Sequence, residues 1–481
     1  MRNRIHAVYR EAILPEHQGN PLIEALPPKV KDAILIDAFT YYPDLDEHIR
    51  MHPEPLVREE YLSRLKTLRQ PLSDYVRCFR LIERAIKDGY SSKNPLSPST
   101  VQYVHYLMDD RPQTQPYSGF FEPKADTITL IGESGTGKTS MLEQVLNYFP
   151  SVIEHTQYRG QSLEVSKQVV WIKVDCPDKS SVRDLCEEIL LRLDLATGVE
   201  QTKPAGTIGS LMRQIEQRIK INYLGILVID EMQRLELKRT RGENNLLNFL
   251  HSLVNKLGIP LLFCGNPPFD ETLSKKLKAA RRAESGGYWK MYPLRRDSKS
   301  KDWDAFISEL WDLQWTNIKT PLTEELMSKM YELSLGNLDM CCRIYREAQR
   351  SVIGSGDERI NATVLENAYY YACALSNETA EVNDLREQLG IHLPRRNKSV
   401  AAKDEDNTKP KPKPKQKPAI LGDITRAQHP EFEMLIRDVL GMVNLPIKSA
   451  DLFQQLSESE ETYNSTSLQG ILYENPLEDL R

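Results

Sequence analysis

A run of residues near position 135 has the composition of a phosphate-binding loop. Its sequence is Gly132-Glu133-Ser134-Gly135-Thr136-Gly137-Lys138-Thr139, which matches GxxxxGK[ST], and Ser140 follows it. The glycines allow successive backbone N–H groups to curve around a phosphate, and the lysine supplies a cation for the β- and γ-phosphates. The threonine hydroxyl is a typical ligand of Mg²⁺ in such loops. We therefore predict that residues 132–140 bind ATP together with Mg²⁺.

A second group of polar residues follows two apolar runs later in the chain. Asp230 and Glu231 end the run that begins at Ile226, and Asn266 follows the run that ends at Gly265. An aspartate at the end of a strand beside the P-loop can hold Mg²⁺, with Thr139 as the other metal ligand, and the next acid can orient and deprotonate an attacking water. Asn266 is placed to sense the γ-phosphate. We predict that Glu231 is the catalytic base, with Lys138 and Asn266 as further catalytic residues.

Two adjacent arginines, Arg281 and Arg282, precede the turn at Ser285-Gly286. An arginine that a neighbouring subunit contributes can stabilise charge on a transferring phosphoryl group. We predict that one of the two acts as such an arginine finger. A solvated basic helix face and a contact with DNA are alternatives that the sequence leaves open.

These residues require strands and helices that hold them in place. Four short runs, rich in apolar and β-branched residues, predict strands over Thr127–Ile131, Val169–Val174, Leu224–Ile229 and Pro260–Cys264. Helical patterns fall between or after them, over Thr139–Tyr148, Ser181–Leu193, Thr207–Ile221 and Asn244–Leu257. Strands that alternate with helices are typical of a parallel sheet with helices on both faces. We predict an α/β core over residues 117–300, with a strand before the P-loop and a helix after it, as the motif requires.

The regions on both sides of the predicted core have mainly helical sequence patterns. Helical patterns over Trp303–Trp315, Thr323–Leu333, Leu338–Val352 and Ala362–Leu375 predict a small helical lid within residues 301–392. Residues 1–116 predict a proline-punctuated helical extension that either packs on the core or docks a partner, and the apolar spacing over Arg58–Leu68 and Asp74–Asp88 supports the helices.

The C-terminal part of the chain is not expected to fold by itself. Residues 393–420 are rich in lysine and proline, which predicts an extended linker. Binding to DNA phosphates is an alternative function of this segment. Residues 421–481 are predicted to be a disordered C-terminal tail. Its last part is acidic with spaced apolar residues, which favours folding on a partner, and a tail without a partner is the alternative.

The overall composition excludes several classes of protein. The 63 lysines and arginines are outnumbered by 68 aspartates and glutamates, and the net charge of -5 excludes a globally basic nucleic-acid binder, although not a local basic surface. No apolar run approaches the ~20 residues that span a bilayer, and the N-terminus lacks the apolar centre of a signal peptide. The seven cysteines include no CxxC pair and the histidines no HExxH spacing, so we predict neither a disulfide framework nor a transition metal. A cytoplasmic protein is expected.

The order of P-loop, Asp-Glu strand, polar strand end, arginine pair and helical lid resembles the AAA+ ATPases. Four further segments resemble TnsC, the ATP-dependent target-selection regulator of Tn7-like transposons and a relative of TniB and MuB. They are His155-Thr-Gln-Tyr-Arg-Gly160, Gln168-Val-Val-Trp-Ile-Lys-Val-Asp-Cys-Pro177, Ala280-Arg-Arg282 with Ser285-Gly286, and Gly336-Asn-Leu-Asp339. The resemblance covers residues 120–375.

The resemblance implies an ATP-dependent, DNA-binding regulator of DNA transposition. Such proteins assemble as homo-oligomeric rings or filaments on double-stranded target DNA in the bacterial cytoplasm, without sequence preference. They bridge a targeting protein of the TnsD or TniQ type to transposase subunits of the TnsA and TnsB type. Slow hydrolysis of ATP, used as a switch, is the implied activity.

The resemblance also assigns roles to individual residues. Lys138, Thr139, Asp230, Glu231 and Asn266 carry over, with Arg281 or Arg282 as the finger. Many AAA+ proteins place an arginine near the Gly-Asn turn of the lid, whereas this chain has Leu338 and Asp339 there. Arg343, one turn later, is the expected substitute contact with the nucleotide.

Basic residues around the second predicted strand are the candidate DNA contacts: Arg159, Lys167, Lys179 and Arg183. Spaced lysines and arginines that contact phosphates give sequence-independent, salt-sensitive binding. Two other functions remain open. One is a STAND-type signalling ATPase that oligomerises without DNA, and the other is a helicase-loader-like AAA+ remodeller.

Overall fold

The computed structural model describes residues 4–98, 100, 104, 122, 124–163, 165–177, 182–234, 250, 253–267, 269, 285–296 and 301–373. All of them belong to one compact unit that extends from Met1 to Leu393. The predicted linker over 393–420 and the predicted tail over 421–481 lie outside the described residues, as do Lys179, Arg281 and Arg282. Most of the helix predicted over Asn244–Leu257 lies outside them as well.

The strands form a central sheet and two small accessory sheets. Their bounds are β1 Arg4–His6, β2 Thr127–Gly132, β3 Val152–Glu154, β4 Gln157–Tyr158, β5 Gln161–Ser162, β6 Lys167–Val169, β7 Trp171–Asp175, β8 Ile226–Asp230, β9 Leu261–Gly265 and β10 Gly287–Met291. The central sheet has five parallel strands in the order β10-β2-β9-β8-β7. Every residue of β2, β8 and β9 is buried, as expected for strands covered on both faces. The predicted parallel α/β core is confirmed.

Two details of the predicted strands are corrected. The strand predicted over Val169–Val174 is interrupted at Val170, because the chain leaves β6 there and enters the central sheet as β7. The edge strand β10 was not predicted, since it is a five-residue segment in which only Trp289 and Met291 are buried.

The helices of the structure lie largely where the apolar spacing predicts them. Their bounds are α1 Pro21–Glu24, α2 Asp32–Phe39, α3 Glu47–Arg50, α4 Pro55–Tyr61, α5 Ser73–Ser91, α6 Lys138–Tyr148, α7 Val182–Thr197, α8 Ile208–Ile221, α9 Asp302–Asp312, α10 Glu324–Ser334, α11 Leu338–Val352 and α12 Ala362–Ala372. The helix predicted over Arg58–Leu68 is instead α4 followed by a 3-10 turn, Leu62–Thr67. Helices α9 to α12 form the predicted helical lid, and among the described residues no helix is long and apolar enough to cross a bilayer.

An irregular hairpin connects α6 to β7 and carries the accessory strands. At its base β3 pairs antiparallel with β6 and parallel with β1, so that the N-terminal strand joins it. Nearer its tip, β4 pairs with β5 around the turn Arg159-Gly160, where both residues have left-handed φ angles of +49° and +81°. The hairpin was not predicted, because each of its strands is at most three residues long.

The N-terminal region packs against the central sheet through α5. The Tyr90 hydroxyl donates a hydrogen bond to the Tyr223 carbonyl oxygen across 2.9 Å, and the Asn20 side chain donates to the Tyr90 carbonyl across 2.8 Å. This close approach requires a glycine at position 225, where a Cβ would lie 2.7 Å from the Tyr90 hydroxyl. The extension is therefore part of the same hydrophobic core as the sheet.

The N-terminal region also binds the lid through a buried ion pair. Arg58 on α4 pairs with Glu358, which precedes α12, and its Nη2 donates to Oε1 across 2.7 Å. Glu358 also accepts from the Gly354 and Asn317 N–H groups across 2.8 and 2.6 Å. Burial would raise the pKa of Glu358, but these hydrogen bonds outweigh it and hold the pKa below its usual range. The N-terminal region thus connects the sheet and the lid.

The seven cysteines all carry free thiols, of which six are buried and Cys342 is partly buried. Burial raises the pKa of Cys186 and Cys342 to about 12. These two thiols therefore stay protonated at neutral pH and act as small apolar side chains.

A fully buried lysine follows α5 at the junction with the sheet. Lys93 has 0% exposure, and its Nζ donates to the Gly258 carbonyl oxygen across 2.5 Å. Burial lowers its pKa from 10.5 to about 7. Between these two values the unfolded chain binds a proton that the folded protein releases, so Lys93 contributes a stability that rises with pH over this window.

We predict that Lys93→Met removes this contribution. The free energy of unfolding of the variant, relative to the wild type, should fall by about 2 kcal/mol between pH 7 and pH 9. Urea unfolding at several pH values measures it, with Lys29→Met, at an exposed lysine, as the matched control. The buried thiols contribute equally to the wild type and to Lys93→Met, so they do not affect the difference between the two free energies of unfolding. A difference that is independent of pH would show that the ammonium is not destabilised by burial.

Candidate functional site

The P-loop runs from the end of β2 to the start of α6, and its glycines are required by its geometry. Gly135 and Gly137 have left-handed φ angles of +82° and +89°, which favour glycine. At Gly132 a Cβ would lie 2.9 Å from the Met291 carbonyl oxygen. The motif therefore forms the tight loop before a helix N-terminus that phosphate binding needs.

Within the loop the carbonyl oxygen of Glu133 is a shared acceptor. The Lys138 ammonium donates to it across 2.7 Å and the Thr136 hydroxyl across 2.9 Å. Lys138 is buried, which lowers its pKa, and the Asp230 carboxylate acts in the opposite direction. Since a phosphate oxygen is a stronger partner for an ammonium than a neutral carbonyl is, an incoming phosphate can displace Glu133 from Lys138.

The Asp230 carboxylate lies beside the P-loop with only 2% of its side chain exposed. One oxygen, Oδ2, accepts from the Thr139 hydroxyl across 3.1 Å, and the other accepts from the Glu231 N–H across 2.9 Å. The structure thus brings the two predicted metal ligands together. A hydroxyl and a carboxylate are oxygen ligands of the kind that Mg²⁺ prefers, so the residues present fit this ion.

Lys173 on β7 is a component of the site that the sequence reading missed. Its Nζ lies 2.6 Å from an Asp175 carboxylate oxygen and 3.2 Å from Asp230 Oδ2. Burial would lower its pKa, but the hydrogen bond to Asp175 and the charge of Asp230 outweigh it and raise the pKa. The register of β7 and β8 places Asp175 opposite Asp230, so Lys173 separates two carboxylates on neighbouring strands. The sequence feature that could have predicted this role is a lysine placed two positions before an acid in an otherwise apolar strand.

Glu231 adopts a left-handed backbone angle, φ +58°, at the carboxyl end of β8. Its Oε2 accepts from the Gln233 side-chain amide across 2.7 Å and lies 3.2 Å from Arg234 Nε. The oxygen of the same Gln233 amide accepts from the Asn266 N–H across 2.9 Å. Gln233, a residue without a predicted role, therefore connects the predicted base with the predicted sensor.

The lid contacts the P-loop at the start of α11, and Arg343 lies one helical turn after Asp339. Its Nη2 is 2.9 Å from Asp339 Oδ2, and its Nη1 donates to the Ala372 carbonyl across 3.3 Å. Asp339 in turn donates its N–H to the Gly135 carbonyl of the P-loop across 3.1 Å. Arg343 is thus joined to the loop through Asp339, and a direct contact with a nucleotide stays a prediction.

The candidate DNA contacts fall into two places. Arg159 is at the tip of the hairpin with 62% of its side chain exposed, whereas Lys167 near the base donates to the Thr197 carbonyl across 2.5 Å. Arg183 is in the first turn of α7 and pairs with Glu187 at 2.6 Å. Thr197 ends α7, so the stretch of that helix from Arg183 to Thr197, about 21 Å at 1.5 Å per residue, separates Arg183 from Lys167.

We predict that Lys173→Met lowers the free energy of unfolding by about 1–3 kcal/mol, because a buried Asp230 loses its charged partner. Asp175→Asn is the matched control: it removes the exposed carboxylate alone and should change the stability by less than about 1 kcal/mol. Urea unfolding of the nucleotide-free protein measures both. Equal effects of the two substitutions would mean that Lys173 does not stabilise Asp230.

The chain matches a family model and is similar to several solved structures. Residues 124–273, which include the P-loop, Asp230, Glu231 and Asn266, match the family model of the AAA domain. Among solved structures, the Orc1 protein of Aeropyrum pernix in complex with DNA is 15% identical, with 74% of this chain and 78% of that chain covered and a TM-score of 0.37. Cdc6p of Pyrobaculum aerophilum is 13% identical, with 74% and 92% covered and a TM-score of 0.40. A Walker-type ATPase of Pyrococcus abyssi is 15% identical, with 55% and 71% covered and a TM-score of 0.33.

A search of curated proteins gave no match. Together with the five-stranded sheet and the P-loop, the family match assigns an AAA+ P-loop fold to this part of the chain.

Proposed function

We propose that the protein is an AAA+ ATPase that assembles on double-stranded DNA and regulates transposition by linking a targeting protein to a transposase. One observation carries the ATPase part: Lys138, Thr139, Asp230 and Glu231 meet at the carboxyl edge of the parallel sheet. The TnsC-like segments at 155–160, 168–177 and 336–339 support the transposition part.

The nucleotide would be held by the P-loop and by α6. The loop N–H groups and the N-terminus of α6 bind phosphate oxygens, and Lys138 exchanges its bond with Glu133 for the β- and γ-phosphates. Thr139 and Asp230 hold Mg²⁺, which when bound neutralises charge on the phosphate oxygens. The Lys173 ammonium, 3.2 Å from the same Asp230 oxygen that accepts from Thr139, limits the negative charge around the metal site.

Hydrolysis would use Glu231 to orient a water and to accept its proton. In the structure Oε2 of Glu231 is already engaged by Gln233 and Arg234. A carboxylate has about four acceptor positions on its two oxygens, so a water would bind one that these contacts leave open. In this proposal turnover is slow and serves as a switch, with Asn266 connected to Glu231 through Gln233.

DNA binding would involve the hairpin first. Arg159 lies at its tip with 62% of its side chain exposed, and its Nη2 is 3.5 Å from the Glu24 carboxylate, which also accepts a 2.7 Å hydrogen bond from the Tyr158 hydroxyl. A DNA phosphate would replace Glu24 as the partner of Arg159. Lys167, Lys179 and Arg183 are the further contacts of this proposal. An arginine finger, Arg281 or Arg282, would reach the neighbouring subunit in a ring or filament.

The partners would contact the two ends of the chain. A targeting protein of the TnsD or TniQ type is assigned to the N-terminal region, which contacts both the sheet and the lid. Transposase subunits of the TnsA and TnsB type are assigned to the acidic residues 421–481.

We predict that nucleotide controls assembly on DNA. Negative-stain electron microscopy of the wild type should show rings or filaments only when duplex DNA and ATP, or a non-hydrolysable analogue, are both present. Lys138→Ala should abolish this assembly because the phosphates lose their cation. Glu231→Gln should preserve assembly and slow its reversal after dilution, because the base is lost while binding is kept.

Three results would contradict parts of this proposal. Oligomers that form with nucleotide but are indifferent to DNA would favour a signalling ATPase and remove the proposed DNA surface. Fast, DNA-stimulated turnover would favour a remodeller. Disassembly of Glu231→Gln at the wild-type rate would mean that Glu231 is not the base.

We predict that Arg159→Ala weakens binding to duplex DNA of any sequence and lowers the slope of log K against log salt by about 1. Fluorescence anisotropy at several salt concentrations, with an ATP analogue present, measures both. Arg359→Ala is the matched control, since this arginine lies in the lid and is also 67% exposed. An unchanged slope for Arg159→Ala would exclude a phosphate contact by this residue.

A further inference from the structure

The lid bonds directly to the main chain of the P-loop. The side-chain amide of Asn337 donates from Nδ2 to the Ser134 carbonyl oxygen across 2.8 Å, and the Asp339 N–H donates to the next carbonyl, of Gly135, across 3.1 Å. Leu338 between them lies so close that a Cβ on Gly137 would be 3.0 Å from its Cδ1. Three consecutive lid residues thus contact three of the loop residues.

Asn337 has two roles that no other residue type at this position combines equally well. It is the N-cap of α11, where its Oδ1 accepts from the Met340 N–H across 3.1 Å. The amide oxygen therefore accepts a hydrogen bond from the lid helix, and the amide nitrogen donates one to the P-loop. Aspartate would keep the cap but has no donor for Ser134, and serine would keep the cap but is too short to reach both groups.

The residue before Asn337, Gly336, is held by the segment that follows β10. The Leu294 N–H donates to the Gly336 carbonyl across 2.9 Å, and a side chain at Gly336 would overlap the Leu294 main chain. The absence of a side chain at Gly135 is equally required, since a Cβ there would collide with the Asn337 amide. Backbone on both sides therefore fits closely around this one side chain.

The two bonds determine which way the loop peptides face. In a trans peptide the C=O and the following N–H point in opposite directions. Holding the Ser134 and Gly135 carbonyls toward the lid turns the Gly135 and Thr136 N–H groups to the other side, into the loop. The Thr136 N–H indeed points inward, toward the Glu133 carbonyl 3.4 Å away. Inward N–H groups are the ones that bind a phosphate.

We propose that Asn337 is a positioning residue that orients the P-loop amides for phosphate and so makes nucleotide affinity depend on the position of the lid. The inference rests on the proposed binding of nucleotide. It adds that the lid acts on the phosphate site through main-chain carbonyls, without a charged side chain of its own.

Asn337→Ser and Asn337→Asp test the proposal, and Asn361→Ser and Asn361→Asp are the matched controls. Asn361 caps α12 through the same kind of bond, from the Val364 N–H across 2.9 Å, and it is exposed. The dissociation constant of a fluorescent ADP analogue should rise about tenfold for Asn337→Ser, the loss of one hydrogen bond, and more for Asn337→Asp, whose charge faces the phosphates. The Asn361 variants should stay within about twofold of wild type.

A second readout needs no nucleotide. Hydrogen exchange of the nucleotide-free protein should become faster at residues 134–137 and at Asp339 in Asn337→Ser, and should not change there in Asn361→Ser. Thermal stability should be similar in both variants, since serine is a good cap. If wild type binds the analogue but both serine variants show the same affinity and the same exchange, Asn337 is only a cap and the inference is wrong. If wild type itself does not bind, the proposed function fails instead.

Discussion

The buried carboxylate of Asp230 is the interaction on which the candidate site depends. A carboxylate so far from water is costly unless it is paired and hydrogen-bonded. Its partners are the Thr139 hydroxyl from α6, the Lys173 ammonium from β7 and the Glu231 N–H from the end of its own strand. Of these three groups, the Lys173 ammonium reaches Asp230 only when β7 and β8 pair in the observed register. Pairing of these two strands therefore completes the set of partners of this carboxylate.

The N-terminal region links this sheet to the lid by a second route, separate from the chain that passes between them. Tyr90 bonds to the edge of the sheet, Ser73 bonds to Asp302 at the start of α9 across 2.7 Å, and Arg58 pairs with Glu358. A rotation of the lid would have to break these contacts.

The sequence predicts the features that depend on local signals. The P-loop follows from its spacing, and β2, β8 and β9 follow from unbroken apolar runs that only a covered strand tolerates. Features set by long-range pairing were missed. The role of Lys173 appears only with the register of β7 against β8, and the pairing of β1 with β3 joins segments that share no local pattern. The two hydrogen bonds of the Asn337 amide depend on the position of the lid against the P-loop. The residue spacing within the lid does not predict that position.

The ion pair between Arg58 and Glu358 has a consequence for the order in which the protein folds. The two residues are 300 positions apart, so Arg58 leaves the ribosome long before its partner is made. At about 5–20 residues per second, the delay is about 15–60 s. During that time α4 has no lid to bury Arg58, and the 3-10 turn after it has none to cover Leu62 and Leu65. The N-terminal region is therefore expected to need protection from aggregation until the lid has been made.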